Sequence, residues 1–133
     1  MSRFQKVAER LASYGLDAMM ITSEPNRLYA AQFHSTAGAA LVTREKSYFF
    51  TDSRYMEAAK KQITGAELHQ NTTDVTLNDL TNQVIRYHGI KKLGFEDQYA
   101  TVAEFNRWKE KLACEELVPA SGLLTELRAV KDE

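Results

Sequence analysis

Near the amino terminus Phe4, Val7, Ala8, Leu11 and Ala12 recur three or four positions apart, the spacing of one helix face, and Gly15 follows as a stop. The pattern predicts an amphipathic helix over 3–14. Asp17-Ala18-Met19-Met20-Ile21-Thr22 is a short, nearly continuous apolar run, as in a strand covered on both faces. Ser23 and Pro25 then read as a helix start, with the serine as N-cap and the proline in the first turn. The strand-like runs 39–43 and 47–51, joined by the polar Arg44-Glu45-Lys46, predict a β-hairpin.

Ser53 is expected to cap a helix over 54–63 that Gly65 ends, and 67–71 reads as a weaker strand. Leu77, Leu80, Val84 and Ile85 mark another amphipathic helix, stopped at Gly89. A strand at 92–96, a helix over 101–113 with Val102, Phe105, Trp108 and Leu112 inward, and a strand at 116–119 complete the order αβαββαβαβαβ. Strands separated by helices imply right-handed crossovers and a largely parallel sheet, with the hairpin adding one antiparallel pair. The expected fold class is α/β, a three-layer αβα sandwich around a mixed, mostly parallel sheet containing one β-hairpin.

Composition changes this picture little. The 133 residues fit one core, since single domains run to about 100–150 residues. A net charge of −1 gives no footprint for a nucleic-acid backbone or an anionic membrane, and Lys60-Lys61 reads as solvated surface. No apolar run approaches the ~20 residues of a membrane span, so neither nucleic acid nor membrane is an expected partner. The single Cys114 cannot close an internal disulfide and reads as a packing residue. The first residues lack a signal-peptide core, so the cytoplasm is the expected location.

The chemistry-bearing residues are sparse. His34, His69 and His88 share no metal-ligand spacing, and His69 and His88 read as surface or strand-edge residues. Nucleophile-elbow, phosphate-loop and dinucleotide signatures are absent. Asp52 ends a predicted strand as a phospho-accepting aspartate would, but Ile21-Thr22-Ser23 lacks the neighbouring acids that would hold magnesium. Two segments carry more than packing requires. In 26–38 a short helix gives way to a polar loop bearing Phe33, His34 and Ser35. In Thr51-Asp52-Ser53-Arg54-Tyr55 a carboxylate, a guanidinium and a phenol meet at one strand-to-helix junction, which is equally readable as a capped helix whose Asp52–Arg54 pair fixes the turn.

At these residues the sequence resembles the amino-terminal domain shared by Xaa-Pro aminopeptidases, prolidases and creatinase, most of all a bacterial Xaa-Pro dipeptidase. The resemblance rests on Gly15-Leu16-Asp17-Ala18, the ordered Asn26, Tyr29, Phe33 and Gly38, Thr51-Asp52-Ser53-Arg54-Tyr55, Leu93-Gly94-Phe95-Glu96 and Leu127-Arg128-Ala129-Val130-Lys131-Asp132-Glu133. It implies that 1–126 form a single α/β accessory domain, that 127–133 begin a linker helix, and that an absent carboxy-terminal domain holds two divalent metal ions (Mn, Co or Zn). No catalytic residue and no metal ligand is then expected in this segment, which alone would be an inactive part of a metal-dependent hydrolase acting on proline-containing peptides. It also implies a homodimer in which the 33–38 loop reaches a neighbouring subunit's active site, with Phe33, His34, Ser35, Arg54 and Tyr55 as substrate-proximal candidates. Gln32 and Ser35 stand where the family's loop commonly has glycine, so the backbone there is expected to differ or to tolerate a side chain. The alternatives are a non-enzymatic peptide- or protein-binding module of the same fold, or a domain of a creatinase-like hydrolase.

Overall fold

The computed structural model describes residues 2–130. The Ser2 hydroxyl accepts from the Gln5 amide and opens α1 (Arg3–Arg10). A 3-10 turn, Ala12–Tyr14, leads to Gly15, whose φ of 70° turns the chain into β1 (Ala18–Ile21). There follow α2 (Glu24–Ala31), β2 (Ala39–Thr43), β3 (Ser47–Thr51), α3 (Ser53–Gln62), β4 (Glu67–Gln70), α4 (Leu77–His88), β5 (Lys92–Phe95), α5 (Val102–Lys111), β6 (Glu116–Pro119) and α6 (Ser121–Ala129). The expected order is present, with α6 added to it. Leu127, where the sequence suggests the start of a linker helix, lies buried in the last turn of α6, and 131–133 fall outside the described residues.

The strands form one sheet in the order β4-β3-β2-β1-β5-β6. Pairing is parallel for β3–β4, β1–β5 and β5–β6, and antiparallel for β2–β3 and also for β1–β2. The expectation of a single antiparallel pair is corrected here: α2 leaves the carboxyl end of β1, and the chain returns to that same edge, so β2 runs back along β1 with Ala40 opposite Ile21.

Alternate residues of each strand feed the two sides of the sheet, as the period of two requires. Met19, Ile21, Ala40, Val42 and Phe49 pack with α1, α2, α3 and α6 through Phe4, Val7, Ala30, Ala59, Leu123, Leu124 and Leu127. Ala18, Met20, Leu41, Tyr48, Phe50, Leu93 and Phe95 pack with α4 and α5 through Leu80, Val84, Ile85 and Trp108. This is the three-layer sandwich expected. Each large side chain fully buried in these layers contributes roughly 1.5–3 kcal/mol. Two expectations fail locally. Val102 is 76% exposed rather than inward, because it is the first residue of α5 and precedes the face that Phe105 and Trp108 define. The cap of α3 is Asp52, whose carboxylate accepts from the Arg54 amide, with Ser53 already helical.

Candidate functional site

Register places both singled-out segments at one edge of the sheet. Ile21 pairs with Ala40 and Phe50 with Ala39, so the carboxyl ends of β1 and β3 meet the amino end of β2. The parallel partners β4, β5 and β6 end on the same side. Open α/β sheets place ligands at this edge. The 33–38 loop enters β2 there, and the 51–55 segment leaves β3 there.

The loop begins with a left-handed residue. Gln32 ends α2 at φ 54°, ψ 38°, and its amide donates to the Leu28 carbonyl at 2.9 Å. A glycine-favouring conformation is therefore retained by a glutamine, whose side chain is exposed. Gly38 closes the loop at φ 131°, and a Cβ there would lie 2.6 Å from the Phe50 carbonyl oxygen. Only glycine fits that approach.

Within the loop the candidates separate. Phe33 is buried, edge-on to Phe49 at 6.2 Å and to Tyr55 at 6.3 Å between ring centres, so its ring belongs to the core of the segment and presents no face outward. Ser35 is also buried: its carbonyl accepts from Arg27 Nη2 at 2.8 Å, while its hydroxyl has no hydrogen-bond partner among the described residues. His34 between them points out, 65% exposed, with Nε2 3.7 Å from the Glu24 carboxylate. The loop is thus anchored by its alternate residues and displays an imidazole.

Tyr55 joins the second segment to the first. Its hydroxyl lies 2.7 Å from Thr36 Oγ1 and accepts from the Thr36 amide, and these bonds hold the phenol below its ordinary pKa. The Arg54 guanidinium stands 5.2 Å from the Tyr55 ring centre while its Nη2 donates to Asp52 at 2.7 Å. That hydrogen bond holds Asp52 below the usual carboxylate range. Arg54 itself is exposed, so the pair fixes the turn and also leaves a cation at the rim.

The residue that sequence reasoning passed over is Glu96. It is fully buried, and its carboxylate accepts from the Thr22 amide at 2.6 Å, the Ser23 amide at 2.8 Å, Ser23 Oγ at 2.6 Å and Asn26 Nδ2 at 2.5 Å. Arg27, 5% exposed, donates to the carbonyls of Thr22 and Ser35, and burial lowers its pKa against the pull of Glu24 and Glu96. Glu96 was legible only as the end of a strand motif. An acid closing an apolar strand opposite a Ser-x-x-Asn helix start is the signal that could have marked it.

Elsewhere, His88 corrects its surface assignment: its side chain is 9% exposed and Nε2 meets the Tyr48 hydroxyl at 2.8 Å. His69 lies on the outermost strand β4, 2.7 Å from Glu67. Among the described residues no group of three or more His, Cys, Asp and Glu side chains is arranged to hold a metal ion, so the donor set here does not fit a two-metal centre. No helix among them is long and apolar enough to cross a membrane.

The sequence profile of the creatinase/prolidase N-terminal domain matches residues 3–130. The uncharacterized peptidase YqhT of Bacillus subtilis is 33% identical over 129 residues, which cover 97% of this chain and 36% of the relative. Among solved structures, the Xaa-Pro dipeptidase from Bacillus anthracis superposes with a TM-score of 0.90 at 33% identity over 98% of this chain and 36% of that one. The N-terminal domain of the cytoplasmic peptidase PepQ from Mycobacterium tuberculosis does so at 0.82 and 31%, over 95% of this chain and 98% of that one. The chain therefore spans about a third of the length of the first two relatives and nearly all of the separately solved domain.

Proposed function

Because this chain belongs to the creatinase/prolidase N-terminal domain family, we propose that it is the non-catalytic amino-terminal domain of a cytoplasmic, metal-dependent Xaa-Pro peptidase and that its 33–38 loop gates the active site of a neighbouring subunit. The accessory unit, to which the sequence assigns residues 1–126, takes in α6 with Leu127 in its core, and the chain beyond α6 leads toward the catalytic domain. The observation that carries the reading is the built loop: Arg27 fixes Ser35 from beneath and Tyr55 fixes Thr36 from the side, while His34 stays exposed at the carboxyl edge of the sheet. His34 and Arg54 supply the exposed groups that would meet a peptide, Arg54 while paired with Asp52, with Tyr55, Phe33 and Ser35 setting their position. Cleavage chemistry is assigned to the carboxy-terminal domain, whose metal ions would polarise the scissile carbonyl.

Two measurements test this. The isolated chain, incubated with an Xaa-Pro dipeptide and manganese, should give no hydrolysis; turnover would overturn the non-catalytic assignment. In the longer peptidase, His34→Ala should change KM or the preferred peptide length more than the melting temperature. Unchanged kinetics with unchanged stability would remove the loop from the substrate path and leave a binding or assembly role.

A further inference from the structure

Asn26 is an amide set between opposite charges. Its Nδ2 donates to the buried Glu96 carboxylate at 2.5 Å, and its Oδ1 accepts from Arg128 Nη1 at 3.1 Å, although Arg128 is 102 residues away in sequence. The amide is buried at 4% exposure, so its orientation is fixed by these two partners, carboxylate on one side and guanidinium on the other. Glu96 in turn holds the amides of Thr22 and Ser23, and Arg27 spans from the Thr22 carbonyl to the Ser35 carbonyl. One unbroken polar chain thus runs from the last turn of α6, through the start of α2, to the floor of the 33–38 loop. Arg128 is at the far end of it, in the last turn of α6, and α6 is also tied through Glu126 to Arg10 at the end of α1 and to Tyr14 in the 3-10 turn.

We infer that Arg128 is a positioning residue for the loop: through Asn26, Glu96 and Arg27 it sets where Ser35 and Thr36 lie, and so couples the course of α6 to the loop that carries His34. Without the guanidinium the Asn26 oxygen loses its donor and the amide is held from the Glu96 side alone, so the side chain can shift against Glu96 and, through the Thr22–Ser23 peptide, loosen Arg27 from Ser35. The inference rests on the gating role proposed above for its functional consequence, but the coupling itself can be read without it.

The test follows the Ser35 carbonyl and Thr36 amide by NMR in the 133-residue chain. Arg128→Ala should shift both signals and speed Thr36 amide exchange roughly tenfold, Arg128→Lys should restore most of the difference, and Arg107→Ala on the opposite face of the sheet should move neither. A folded Arg128→Ala chain whose loop signals stay in place overturns the coupling, and so does failure of the lysine to rescue them. Arg128→Ala combined with Asn26→Ala should perturb the loop no more than Asn26→Ala alone; additive shifts would show that Arg128 acts by another route. In the longer peptidase the same Arg128→Ala should raise KM with little change in kcat. If the loop responds while KM does not, the coupling stands and the gating reading falls.

Discussion

Tyr55 and Thr36 face each other across the junction of the two segments at the sheet edge, with the phenol oxygen 2.7 Å from Thr36 Oγ1 and 3.4 Å from the Thr36 amide nitrogen. Tyr55 comes from the first turn of α3 and Thr36 from the loop before β2, so these bonds are what close the edge between them. The same ring packs edge-on against Phe33.

Tyr55→Phe separates the two contributions. The ring contact with Phe33 survives and the hydrogen bonds to Thr36 do not. Global unfolding should move little, since the group lies at the surface, whereas Thr36 amide exchange should quicken several-fold. Hydrogen-exchange NMR checks both, and an unchanged Thr36 rate would mean that the loop is held without the phenol.

Glu96→Gln should be far more costly than its isosteric look suggests. Oε2 accepts from two backbone amides and Oε1 from the Asn26 NH2 as well as the Ser23 hydroxyl, so whichever way an amide is turned its NH2 meets at least one obligate donor. Asn26 cannot flip to compensate while Arg128 occupies its oxygen. The expected loss is about 3 kcal/mol of unfolding free energy, read from urea denaturation, the range for breaking a buried charged network. A loss below ~1 kcal/mol would mean that the network is not a stability determinant.

These residues also show what a sequence can and cannot announce. The periodicities that predict α4, the hairpin and the strands act locally, so the architecture was readable from apolar spacing alone. Met19 and Met20 feeding opposite layers is the continuous run of a doubly covered strand made visible. The antiparallel β1–β2 pair was not readable, because the direction of return after α2 depends on where Gln32 and Gly38 turn the chain. The helix α6 carries Leu123, Leu124 and Leu127 at helical spacing, but the charged residues that follow Leu127 make the same stretch resemble a linker in sequence. Phe33 looked like a displayed aromatic because burial is a tertiary property. Glu96 looked like a strand end because its partners are some 70 residues away in the chain.

The two ends of the loop make opposite predictions for small substitutions. Gln32 is a non-glycine residue in the left-handed region with an exposed side chain, so Gln32→Gly should relieve backbone strain and stabilise the chain by about 0.5–1 kcal/mol. Gly38→Ala meets the Phe50 carbonyl oxygen at 2.6 Å as well as an unfavourable φ, and should destabilise by ~2 kcal/mol or more. Paired thermal melts check the signs. A neutral Gly38→Ala would mean that the β2–β3 register adjusts freely.

Acid should loosen the strand junction at Asp17 in a way that one variant isolates. Asp17 Oδ2 accepts from the Lys91 amide at 3.0 Å and the Lys92 amide at 2.9 Å, which ties the residue before β1 to the start of β5. The Lys92 bond is the main cause that holds its carboxyl below the ordinary value of 3.8, with burial opposing and the Lys91 bond and the charges of Arg44 and Lys91 adding to it. A folded-state pKa below the unfolded one contributes stability that is fully present above the unfolded value and is lost as pH falls through the folded value. Other carboxylates here, Glu67 and Asp97 among them, are also depressed, so the chain as a whole weakens in acid and its raw profile assigns nothing to Asp17. Asp17→Asn keeps an acceptor oxygen and removes only the charge. The difference in urea midpoint between the two proteins should be constant from neutral pH down to about 5, then shrink below about 4 as Asp17 itself takes up its proton. A difference that persists unchanged at pH 2–3 would show that the asparagine acts through geometry, and that the Asp17 charge contributes nothing to the junction.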